Sequence, residues 1–216
     1  MDHYPRLKAR HREERDGYSQ SLSLRVHRAL SWLNRAEQCE DDDGRFIFLW
    51  IAFNAAYAQE IHGIERDTER AKLSAFIEKL VSLDTDRRLY DLIWKQFQNT
   101  VRLLLANEYV FPDFWAFQQG TISEDEWKQA FSAANRAAHA ALGAGRTADV
   151  LGVILVRLYT LRNQLVHGGA TWNSGVNRDQ MRDCTAFLST LVPATIELMM
   201  DNPRTLWGDA SYPVID

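Results

Sequence analysis

Two stretches of this chain are apolar over so many consecutive helical turns that they belong inside a helical protein. The first starts near Arg45, reads FIFLWIAFNAAYA through its middle and continues to about Ile61; the second, DVLGVILVRLYTLRNQLVH, lies between about Ala148 and His167. The first is apolar on nearly every side, which places it in a core. Within the second, GVILV alone has the composition of a strand, but it is embedded in a longer pattern of helical period, and that decides for helix. The fold class expected is all-α.

The remaining segments repeat the helical period. Leu22, Val26, Leu30, Leu33 and Ala36 follow one another at steps of three and four and define one face. Glu40-Asp41-Asp42-Asp43-Gly44 breaks that helix and leads into the apolar one. A third helix is expected from about Glu69 to Leu83, with Leu73, Phe76, Ile77, Leu80 and Val81 inward, and a fourth, continuous one from about Arg87 to Ala106. YVFPDFWAFQQG, between Tyr109 and Gly120, reads as a packed loop or short helix. Ser123 with Glu126 three residues on forms a capping box that opens a helix carrying Trp127, Phe131, Ala134 and Ala138 inward. Gly143 and Gly145 end it. A last helix runs from about Arg178 to Met200, capped by Asn177 and bent near Pro193. No internal repeat or proline-rich linker divides the chain. The expected organisation is a charged arm or solvated helix start over residues 1–18, one up-and-down-like helical bundle with additional helices over 19–202, and a tail over 203–216.

Several function classes are disfavoured by what the chain lacks. With 216 residues, 46% of them hydrophobic and 25% charged, it can bury an ordinary core. A formal charge of -4 does not suit binding nucleic acid by bulk electrostatics, so a polyanion must be met locally. Cys39 and Cys184 alone make neither a disulfide framework nor a four-cysteine zinc site, and a reducing compartment fits them. The six histidines show no HExxH spacing. Asp41-Asp42-Asp43-Gly44 lacks the alternate spacing of a calcium loop and reads as a turn and N-cap. No metal or cofactor is therefore expected. No GxSxG elbow occurs, and Gly143 and Gly145 follow no strand, as a phosphate loop requires. MDHYPRLKARHREERDGYSQ has no apolar core of a signal peptide, and Phe46 to Ala58 is too short to span a bilayer, so the expectation is a cytoplasmic chain without a membrane segment.

What remains is Arg162-Asn163-Gln164-Leu165-Val166-His167, a polar run at the end of the second apolar helix. Polar groups on a core helix are costly unless satisfied. Asn163 and His167 share a helical face, and Arg162 lies about 140° round the axis and roughly 7.5 Å from His167 along it, within reach of a long side chain. Gly168 and Gly169 leave the backbone open for close approach, so the group suits a phosphate clamp. A plain helix C-terminus, where the dipole favours a cation, has the same composition. Asn54, on the first apolar helix, is either a buried hydrogen-bonder or a second contact; Asn177 and Arg178 are helix-start residues or substrate contacts.

LRNQLVHGG resembles the signature of the HEPN family, an arginine, a polar residue and then a histidine late in an all-helical domain, and FIFLWIAFNAAYA, with Trp50, Asn54 and Tyr57, is similar to the earlier core helix of bacterial, Apea-like members. Arg6 and His11 have the same spacing but stand in a charged segment without apolar context. The resemblance implies a metal-independent endoribonuclease, in stress response or phage defence, acting as a homodimer in which Arg162, Asn163 and His167 of two copies face one cleft. Attack by the ribose 2′-hydroxyl needs a base, an acid and positive charge for the crowded phosphorane. Two histidines, one neutral and one protonated, supply the first two near neutral pH. Two arginines grip the phosphate, and Asn163 orients the histidine or a phosphate oxygen. Members regulated by a nucleotidyltransferase partner carry a tyrosine two places after the histidine, where this chain has Gly169. Non-catalytic members bind nucleotides, RNA or proteins; in that reading the aromatics from Phe111 to Phe117 form a surface for a protein partner.

Overall fold

The computed structural model describes residues 2–57, 66–175 and 178–210. Among them the chain is all-α: ten α-helices, short 3₁₀ turns, one π-helical turn and no strand. It packs as two compact units, Met1–Arg88 with Thr185–Asp216, and Leu89–Cys184. No helix among the described residues is long and apolar enough to cross a membrane.

The first unit is built on α2 (Gln20–Glu37) and α3 (Asp42–Tyr57), which pack along their length. The face read from α2 is the one buried: Leu22, Val26, Leu30, Leu33 and Ala36 are all sealed from solvent, as are Phe46, Leu49, Trp50, Phe53 and Ala56 of α3. Ser19 caps α2 by accepting from the Leu22 N–H, and Asp41 caps α3, its carboxylate accepting from the Gly44 N–H at 2.7 Å. The acidic turn is thus a helix start. Phe76, Ile77 and Leu80 of α4 (Arg66–Leu83) are buried in the same unit.

The supposed arm contains a docked helix, α1 (Tyr4–Glu14), with Leu7 and His11 buried. Glu37 accepts from the backbone N–H groups of His3 at 2.7 Å and Tyr4 at 3.1 Å, supplying from α2 the cap that α1 lacks. Arg6 pairs with Glu197, and Arg10 with Asp201 at 2.8 Å and Glu14 at 2.8 Å. The supposed tail is packed at least to Ala210: Trp207 is buried, its ring 6.0 Å from that of Phe76, and Lys79 donates to the Leu206 carbonyl at 2.6 Å. Arg25, buried in α2, donates to the carbonyls of Ala56 at 2.9 Å and Asp209 at 2.5 Å.

In the second unit the expected continuous fourth helix is broken. A short helix α5 (Arg88–Asp91) leads into a π turn at Leu92–Gln96, closed by the Phe97 N–H donating to the Leu92 carbonyl five residues back, and α6 (Gln98–Ala106) follows. The aromatic segment forms a 3₁₀ turn (Glu108–Val110) and α7 (Pro112–Gln118). Its rings turn largely inward: Phe111 meets Phe131 at 5.2 Å, while Phe114 and Phe117 meet Trp127 at 5.3 and 6.1 Å. In that segment Tyr109 and Trp115 are exposed, Phe111 and Phe117 are half-buried and Phe114 is buried. The capping box holds at α8 (Glu124–Gly143), and Gly145 follows in a left-handed conformation, φ 65°. Next is α9 (Thr147–Val166), whose Val150, Leu151, Ile154, Leu155, Leu158 and Leu161 are buried. The last helix, α10 (Arg178–Asp201), contains Pro193 and runs from the second unit into the first.

Candidate functional site

The end of α9 is set by backbone chemistry. Gly169 N–H donates to the Gln164 carbonyl at 2.7 Å and Gly168 N–H to the Leu165 carbonyl at 3.3 Å, the paired bonds of a Schellman motif. Gly168 supplies the left-handed residue, φ 71°, which a Cβ would disfavour. At Gly169 a Cβ would stand 3.3 Å from the Gln164 oxygen, whereas nothing lies within 4 Å of the same position at Gly168. The two glycines end the helix, and the first leaves its backbone open. Gln164 anchors this end by donating to the Tyr109 carbonyl at 2.6 Å.

His167 is the C-cap residue and is exposed, beside the partial negative charge of the helix end. Arg162 is half-buried; its guanidinium donates to Asn163 Oδ1 at 2.9 Å and lies 5.9 Å from the centre of the Tyr159 ring. The side-chain oxygen of Asn163, the residue expected to orient His167 or a phosphate oxygen, accepts from the arginine, whose long guanidinium folds back over its neighbour. No hydrogen bond joins Arg162 to His167. Around them Tyr159, Val166 and Trp172 are exposed, Trp172 by 71%. The arrangement presents a held cation and an accessible imidazole at one helix end, the elements that meet a phosphate. Tyr159 and Trp172 were not singled out by sequence; the signal for Tyr159 is its place one turn before Arg162.

Asn54 belongs to the first unit, on α3, where its side-chain oxygen is buried without a hydrogen-bond partner. Arg178 is the first residue of α10, half-buried, as a helix-start residue. Asn177 lies outside the described residues. Among the described residues no three His, Cys, Asp or Glu side chains gather as a metal ion would require.

One further cation on α9 was hidden in the apolar pattern. Arg157 is 2% exposed, its guanidinium 4.4 Å from the centre of the Phe111 ring and 5.4 Å from that of Phe131. Its Nη1 has no hydrogen-bond partner, and burial pushes its pKa down to about 10 despite the opposing pull of Asp113. The chain matches no family model, no curated protein and no solved structure.

Proposed function

We propose that this chain is a metal-independent endoribonuclease of the HEPN type, acting as a homodimer through Arg162 and His167 of two copies. The observation that carries the reading is the accessible His167 at the end of a core helix, with the Arg162 guanidinium tethered one turn away by Asn163 and Tyr159. One imidazole takes the proton of the ribose 2′-hydroxyl, whose oxygen attacks the adjacent phosphorus; the second, protonated, delivers its proton to the departing 5′-oxygen. The products are a 2′,3′-cyclic phosphate and a 5′-hydroxyl. The two guanidiniums neutralise the phosphorane, and Tyr159 and Trp172 stack flanking bases. The mechanism needs a second copy because one histidine does not hold and lack the same proton at once.

A non-catalytic RNA- or nucleotide-binding module is the second reading, favoured by the hydrogen bonding that makes His167 and both glycines sufficient as a helix end. Incubating RNA in EDTA with the parent protein and with His167→Ala separates the two. Cleavage to cyclic-phosphate ends by the parent alone supports the nuclease. Arg162-dependent binding without any product supports the binding module, and cleavage unchanged by His167→Ala refutes the assigned centre.

A further inference from the structure

The charges of α1 divide into two sets of opposite character. Arg6 and Arg10, one turn apart, are neutralised by Glu197, Asp201 and Glu14. Lys8, His11, Arg12 and Arg15 recur at helical spacing on the other side, and among the described residues the one carboxylate within 4 Å of them is that of Asp16, 3.9 Å from Arg15 on an exposed edge. Tyr18 lies against this group, its ring 6.1 Å from that of His11, but its hydroxyl donates to Glu14. From α2, Ser23 and His27 face the same place. Lys8 Nζ stands 3.2 Å from His27 Nδ1, and the His11 ring lies 6.3 Å from the His27 ring. His11 is 1% exposed; its Nε2 is 3.5 Å from the Ser23 hydroxyl and its Nδ1 has no partner.

We propose that this face of α1 and α2 is a phosphate-binding site, in which Lys8, His27, Arg12 and Arg15 hold the anion above the buried His11. The donor geometry is one-sided. An ammonium only donates, so His27 Nδ1 accepts from Lys8, and in the neutral ring the remaining proton sits on Nε2, turned into a further donor. Lys8, His27, Arg12 and Arg15 therefore all offer N–H, and among the described residues the one carboxylate within 4 Å of them is that of Asp16, on an exposed edge. Burial first, and then the neighbouring cations, lower the pKa of Lys8, His11 and His27: Arg12 and Arg15 act on Lys8, Lys8 and His27 on His11, and Lys8, Arg15 and Arg28 on His27. A monovalent carboxylate relieves one such repulsion. A phosphate group, with up to two charges and three acceptor oxygens, relieves several together. The ligand class is a phosphate, borne as a terminal monoester or as a backbone phosphodiester. The proposal is independent of the reading of Arg162 and His167.

The test follows the His27 ring by NMR in the full chain, titrated in inorganic phosphate and in chloride of equal ionic strength. The midpoint of His27 moves upward in phosphate, and Lys8→Gln weakens phosphate binding by about tenfold or more, while helicity is retained. Short oligonucleotides with 5′-phosphate and 5′-hydroxyl ends then compete. Preference for the phosphorylated end assigns a monoester, and equal competition assigns the backbone. The same midpoint in both salts, undiminished phosphate binding by Lys8→Gln with Arg12→Gln, or competition by neither oligonucleotide overturns the site.

Discussion

Replacing each of the two buried arginines by methionine tests how this protein tolerates cations in its interior, because the same change should have opposite signs at the two positions. Burial pushes both Arg157 and Arg25 down to about 10. At about 1.4 kcal/mol per tenfold change, a lowering of two to three decades means that holding either charge inside disfavours folding by about 3 kcal/mol at neutral pH. Arg157 has its contacts with Phe111 and Phe131 to set against this, about 2 kcal/mol for a desolvated cation–π pair. Arg157→Met keeps the volume and removes the charge, so it should stabilise by about 1 kcal/mol. Arg25 instead holds the carbonyls of Ala56 and Asp209. Two charge-assisted bonds contribute about 3–6 kcal/mol together, so Arg25→Met should destabilise by about 1–3 kcal/mol. Urea unfolding followed by helical circular dichroism and tryptophan fluorescence measures both. A loss of 1 kcal/mol or more in Arg157→Met, at unchanged denaturant slope, would refute the account of Arg157 as a cation held by rings.

Ser123→Ala removes the reciprocal bonds with Glu126 and should destabilise α8 by about 1 kcal/mol, read as a lower denaturation midpoint. His11 and His27 have lowered pKa values, so below about pH 6.5 the unfolded chain binds more protons than the folded one. Stability is therefore full above that pH and falls as acid approaches the folded values; His11→Gln should flatten the slope between pH 7 and 5 in chloride, and an unaltered slope would count against the assignment. Burial pushes the Cys184 thiol up to about 12, so iodoacetamide at pH 8 should leave it unmodified in the native protein and alkylate it in urea, as mass spectrometry of the peptides will report.

What the sequence made legible was local. The α2 face, the Ser123–Glu126 box and the end of α9 at His167 each depend on residues within one or two turns, and each occurs as expected. Docking of α1 depends on Glu37, Glu197 and Asp201, residues remote in the chain, and leaves only Leu7 as an apolar mark. Arg157 was invisible for a related reason: a single cation among Val150, Leu151, Ile154, Leu155 and Leu158 does not disturb the helical period, whichever way it faces. At the candidate site, the Arg162–Asn163 bond joins adjacent residues, which helix geometry does not place face to face; only the reach of the guanidinium makes it.

The π turn at Leu92–Gln96 has a consequence for how this chain tolerates changes in length. A π turn holds one residue more than the α-helical path between the same two ends, and so behaves as an insertion already absorbed. Deleting one residue between Leu92 and Gln96 should let the turn close as ordinary α-helix while α6 keeps Val101, Leu104 and Leu105 inward. The same deletion within α8 or α9 has no such slack and turns every following side chain by about 100°. Along this stretch, the place where the helix looks least regular is the place where the chain can lose a residue and keep its core.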